Sequence, residues 1–262
     1  MMRALFSAAS GMYAQQLNID TISNNLANVN TTGFKKAKVE FQDLIYQTMR
    51  AAGASSLAGV VVPTELQIGH GVRPVAVQKN FAQGAPRATE NPLDIAILGN
   101  GFFQITMPDG TIAYTRDGSF KINNEGSIVT SDGLYLEPEV SVPIDTTSIN
   151  ISNDGTVSVL IVGSTEPQDI GQIELAKFIN SGGLKNIGQN LFLPTEASGE
   201  AILGTPGQEG LGQLNQGYLE SSNVQVVEEM VNMIVAQRAY ELNSKSIRTS
   251  EEMLQMANNI KR

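Results

Sequence analysis

Six carboxylates near turns carry most of the chain's chemical capacity: Asp94, Asp109, Asp117, Glu125, Asp132 and Asp154. Two carboxylates astride a sugar bond are what glycoside hydrolysis needs, one as acid and one as base or nucleophile. Five of the six stand directly before a glycine, as in Asp109-Gly110 and Asp154-Gly155. Asp-Gly between β-branched or apolar runs is a hairpin signal because glycine supplies the positive φ, so turn formation accounts for these acids better than catalysis. Their scatter also lacks the ligand spacing of a calcium loop. His70, the single histidine, sits between Gly69 and Gly71. It cannot build a multi-histidine metal site, and no nucleophile motif accompanies it. Gly99-Asn-Gly101-Phe-Phe lacks the Lys-Ser/Thr of a phosphate loop. Cysteine is absent, which removes disulfides, thiolate metal sites and cysteine catalysis. The sequence offers no catalytic residue, no cofactor-binding residue and no metal ligand, and it calls for no cofactor.

The positioning elements are more informative. No Gly or Pro follows Gly217, so nothing interrupts a helix over Ser221 to Arg262. Val226, Met233, Tyr240, Ile247 and Leu254 recur at seven-residue spacing, with a small row, Ala236, Asn243, Ser250 and Ala257, offset by three. Such rows mark a helical seam that winds around partners. Ser222 and Gln225 have capping-box spacing, Glu228 and Glu229 suit the positive end of the dipole, and Lys261 and Arg262 suit the other. At about 1.5 Å per residue this rod is roughly 60 Å long, too long for one small domain to cover. Val227, Met230, Val231, Ile234 and Val235 broaden the apolar surface beyond the single stripe of a surface helix, which predicts packing between chains.

The N-terminus repeats the theme. Leu5, Met12, Ile19 and Leu26 form one row and Ala8, Gln15, Ile22 and Val29 the other. Together they give coiled-coil spacing. The helix is expected to stop near Asn28–Gly33, where Asn and Thr favour local bonds and Gly33 can turn left-handed. The opening residues belong to this heptad pattern and read as mature structure rather than a signal peptide.

All ten Pro and 23 of the 25 Gly lie between positions 51 and 220. This predicts an α+β chain with long N- and C-terminal helices forming a coiled-coil domain and an inserted, mainly-β domain. The expected boundaries are 1–33 and 221–262 for the helical domain, 34–69 for an extended linker and 70–220 for the β-rich domain. Lys35, Lys36 and Lys38 are expected to be solvated or to bridge subunits, and the Ala-Gly-Ser stretch after Arg50 with the Val60–Val62 run to be extended. Residues 51–220 carry seven basic and eighteen acidic side chains, within a net charge of −9 for the chain. That argues against nucleic-acid binding. No apolar run is long enough for a membrane span.

Three stretches carry a resemblance. SNNLANVNTTGFK (Ser23–Lys35), with Asn24, Asn25, Asn28, Gly33 and Phe34, resembles the N-terminal signature of the flagellar rod and hook axial protein family. Asn232–Ile260 resembles that family's C-terminal segment, and NGFFQI (Asn100–Ile105) and AYTRDGSF (Ala113–Phe120) its β-domain motifs. The resemblance implies helices paired in a coiled-coil layer around an export channel, with the β domain outside. It implies a structural subunit polymerising helically into the distal rod of the bacterial flagellar basal body, where it transmits motor torque to the hook. Implied partners are further copies, other rod proteins, hook subunits, the L/P ring bushing and the flagellar type III export apparatus. The implied location is the rod crossing the periplasm and outer-membrane ring region, reached without a cleaved signal. Alternatives are a proximal rod or hook subunit, or a secreted β-domain enzyme acting on peptidoglycan.

Overall fold

The computed structural model describes residues 2–52, 64–163 and 166–260. Most of the Ala-Gly-Ser stretch, the Val60–Val62 run, Lys261 and Arg262 lie outside the described residues. The fold is α+β, with helix α1 (Met2–Ala27) at the start, helix α2 (Val226–Ile260) at the end, and strands between them. No described helix is long and apolar enough to cross a membrane.

The chain divides into two compact units, one of Met1–Leu26, Ala37–Gln78 and Gln225–Arg262, the other of Ala27–Lys36 and Lys79–Val224. In the first unit, strand Ala37–Asp43 pairs with Val72–Lys79, and Tyr46–Arg50 pairs with Leu66–Gly69. The stretch 34–69, expected as an extended linker, carries three of these four strands. Their alternation is blurred because Tyr46–Arg50 is exposed along its whole length, so no buried face imposes a period-two pattern. The glycines flanking His70 have a packing reason. Gly71, at φ +110°, lies so close to α1 that a Cβ there would come within 2.1 Å of the Ser10 hydroxyl oxygen.

The second unit holds a nine-stranded sheet centred on Phe102–Thr106, which pairs with Ile112–Thr115, Tyr135–Glu137 and Leu175–Lys177. A three-stranded sheet, Thr146–Ile151, Thr156–Ile161 and Gln168–Gln172, adds the hairpin expected at Asp154-Gly155. Phe102 and Phe103 both carry apolar rings into the interior because the strand is covered on both faces. Phe103 joins Ile95, Ile105, Phe120 and Leu136 in the main core, while Phe102 packs edge-to-face with Phe81, Phe178 and Phe192.

Gly110, Gly126, Gly133 and Gly155 have positive φ, as the turn pattern requires. Gly118 differs. It is needed for space, since a Cβ would lie 1.7 Å from the Ile95 carbonyl oxygen. The start of α2 also departs from the capping-box expectation. Helix begins at Val226, the Gln225 carbonyl accepts the Glu229 N–H at 3.0 Å, and the Ser222 hydroxyl accepts the Val224 N–H at 3.3 Å.

Candidate functional site

Within the first unit, α1 and α2 meet along small side chains. Gly11 faces Asn243 so closely that a Cβ would sit 2.8 Å from the Asn243 amide nitrogen. Ala8, Ala14 and Ile22 are buried on α1, and Glu229, Ala236 and Ser250 on α2. The α2 trio falls on one seven-residue row, with half-buried Asn243 between Ala236 and Ser250, so the small row serves as the seam inside the chain as far as Ser250. Glu229 accepts from the Asn25 amide at 3.2 Å, and the same Asn25 holds the Ala37 N–H at 2.9 Å and its C=O at 2.8 Å. The sequence placed Glu229 only as a dipole-compensating acid; its place in the heptad row, seven before Ala236, was the signal for more.

The large row is left outside. Val226, Tyr240 and Leu254 are exposed, and Met233 and Ile247 are half-buried. Val227, Met230, Val231, Ile234, Val235 and Leu242 are each more than half exposed. On α1, Leu5, Met12, Ile19 and Leu26 are half-buried and Ile22 is buried, while Phe6 and Tyr13 are exposed. Beyond Ser250, residues 251–259 are exposed on every side of α2. Unsupported helix is marginal in water. Amide exchange in a dilute, monomeric sample should therefore be faster over 251–259 than over 230–250; equal protection would show that the tip is held by something within the chain.

The motif Asn28–Lys36 belongs to the second unit rather than to the helices. Val29 is half-buried there, Gly33 turns at φ +67°, and its N–H donates to the Glu220 carbonyl at 2.8 Å. A Cβ at Gly33 would lie 2.8 Å from the Arg116 and Asp117 backbone, so only glycine fits. Phe34 is buried, with the Lys79 ammonium 4.8 Å from its ring centroid. Asn28 accepts from the Thr31 hydroxyl at 3.1 Å, and Asn24 is exposed.

Lys35 overturns the expectation of a solvated or bridging lysine. It is 1% exposed, and its Nζ donates to Glu220 Oε1 at 2.6 Å and to the Ala82 carbonyl at 2.9 Å. Glu220 also accepts from Arg116 Nε and from the Gly84 N–H at 2.8 Å. The remaining Arg116 bonds go to the carbonyls of Ile97, Gly99 and Gly101. Burial pushes the Glu220 carboxyl up, but Arg116 and Lys35 outweigh it and hold it below its ordinary value. The cluster joins positions 35, 116 and 220, and its only sequence signal is a charge set among apolar neighbours, as in Tyr218-Leu-Glu220.

Two of the six turn acids, Asp117 and Asp132, line one small cavity. Asp109 accepts from the Thr111 hydroxyl at 2.6 Å and its N–H at 3.0 Å, which holds its carboxyl below the usual range. Asp117 accepts the Ser119 N–H, Asp154 the Thr156 N–H, and buried Asp94 the Asn91 amide. Among the described residues no group of three or more His, Cys, Asp or Glu is arranged to hold a metal.

Three family descriptions match the chain: "Flagella basal body rod protein" over residues 5–35, "Flagellar hook protein FlgE/F/G D1 domain" over 96–159, and "Flagellar basal body rod FlgEFG protein C-terminal" over 215–260. The flagellar basal-body rod protein FlgG of Borreliella burgdorferi is 56% identical over the full length of both chains. The chain belongs to the flagellar basal-body rod protein family. The rod protein of Caulobacter vibrioides is 51% identical over 99% of this chain and 100% of its own, and that of Bacillus subtilis 42% over the whole of both. As a flagellar basal-body rod protein the chain is a structural subunit of the flagellum.

Proposed function

We propose that the chain polymerises helically into the distal rod, the drive shaft that transmits motor torque to the hook. The supporting observation is the division of labour on α2. Its small row is used inside the chain, and its large apolar residues are left in water. Exposed apolar belts of this extent mark interaction surfaces. Further copies bury them as the two helices wind into a coiled-coil layer, and heterologous contacts that do not close generate a helical tube. The assembly residues in this reading are Leu5, Met12, Ile19 and Leu26 with Val226, Met233, Tyr240, Ile247 and Leu254; Ile22 is already buried within the chain and Val29 lies beyond α1 in the second unit, so neither is free to join the seam. The role is mechanical, with no bond chemistry. Neighbours in the same reading are other rod proteins, hook subunits and the L/P ring bushing, after passage through the type III export apparatus.

The test follows purified full-length chain by sedimentation and electron microscopy as concentration rises. Straight tubes whose formation slows the exchange of 226–260 are expected. A chain that stays monomeric at high concentration, with both helices protected, would remove the polymer reading.

A further inference from the structure

The second unit has a cavity of about 240 Å³ lined by Lys35, Phe81, Gly99 to Phe102, Arg116, and Lys177 to Ile179 with Ser181. Three of these residues are cationic and none is acidic. The contrast with the rest of the unit is large, since residues 27–36 and 79–224 together hold eight Lys and Arg against seventeen Asp and Glu. The cavity reverses the sign of an acidic body.

The buried ion cluster explains why the reversal persists. Lys35 and Arg116 share one carboxylate, Glu220, which leaves one positive charge in excess. Two of the three Lys35 protons are taken by Glu220 and Ala82, and four of the five Arg116 protons by Glu220, Ile97, Gly99 and Gly101. Each cation thus keeps one donor, and both line the same cavity. Burial keeps the Lys35 pKa below its ordinary value although Glu220 pulls it up. The lining combines these donors with the aromatic walls Phe81, Phe102 and Phe178. Such a mix of apolar wall and few convergent polar groups is typical of a ligand site.

We propose that this cavity is a binding site for a single carboxylate-type anion, held by the spare donors of Lys35 and Arg116. Glu220 takes no part in contacting the ligand; it holds the two cations in place. The carboxylate comes either from a free small anion or from an acidic side chain of a second copy. The second source rests on the polymerisation reading and the site itself does not.

The first arm uses dilute, monomeric full-length chain and sodium acetate against sodium chloride at matched ionic strength. Acetate should raise the thermal midpoint saturably, following mass action. Ile179→Glu places a tethered carboxylate at the rim, where the native side chain is 85% exposed and its loss does not threaten folding. That variant should start from a raised midpoint and no longer respond to acetate. Equal responses to acetate and chloride, or an Ile179→Glu chain that still responds like wild type, would overturn the site. The second arm adds acetate during assembly. Slowed tube growth, reproduced without acetate by Ile179→Glu, assigns the site to a neighbour's carboxylate; unchanged growth with the first arm intact assigns it to a free anion.

Discussion

Glu220→Gln should cost about 3–5 kcal/mol, the penalty for breaking a buried ion pair by removing one partner. The substitution leaves Lys35 and Arg116 facing each other without counter-charge, at 1% and 6% exposure. Against a typical total of about 5–15 kcal/mol, that is enough to leave the second unit partly unfolded at ambient temperature. Urea denaturation of the full-length chain reads it as a fall in midpoint. Lys35→Met should cost less, because it leaves a neutral Arg116–Glu220 pair and removes the surplus charge. If Lys35→Met proves as damaging as Glu220→Gln, charge balance is not what the cluster supplies. The same carboxylate sets an acid limit. Its folded-state pKa lies below the 4.5 of an unperturbed Glu. A carboxyl depressed in this way contributes stability that is fully present above about pH 4.5 and lost as pH falls through the folded-state value. The wild-type midpoint should therefore drop steeply below that pH, and Glu220→Gln should lack this part of the slope.

Ile234→Glu should raise the concentration needed for assembly well above the wild-type value while leaving the monomer almost unchanged. Ile234 is 56% exposed in the single chain, and surface substitutions of this kind usually shift stability by no more than about 0.5 kcal/mol. In a tube the same side chain would be buried against a neighbour. Only the exposed 56% of the side chain remains to be buried, so the lost burial alone is worth about 1 kcal/mol per contact. Since about 1.4 kcal/mol is a factor of ten, that loss by itself should raise the concentration needed for growth about 5-fold. Burying an unpaired carboxylate adds further to the cost. Sedimentation and helical content, measured side by side, separate the two effects. Tubes forming at the wild-type concentration would place the growth contacts elsewhere than on this face of α2. A monomer that melts much earlier would show that Ile234 already packs within its own chain.

Much of this protein is written locally. The absence of Gly and Pro after Gly217 and the strict heptads of both ends dictate two helices, because a helix needs only its own backbone and a periodic face. The Asp-Gly pairs at 109, 125, 132 and 154 or their Glu equivalent dictate turns for an equally local reason, the positive φ of the glycine. The family signature was legible too, and it identified a structural subunit of the flagellum.

Other features depend on partners far along the chain. Heptad spacing defines two rows on α2 but not which row the chain keeps for itself; Gly11 decided for the small one by letting α1 approach at Asn243. Ala37–Asp43 and Tyr46–Arg50 became strands because Val72–Lys79 and Leu66–Gly69 pair with them, although a single buried side chain, Val39, is too little to mark an alternating face in sequence. Lys35 sits in a basic run that reads as solvated until Glu220, 185 residues away, is brought to 2.6 Å. Local sequence determined the helices and turns because their hydrogen bonds close within a few residues. Tertiary structure alone decided where the charges went, since burying a cation is tolerable only when a counter-charge and carbonyls from distant segments meet it there.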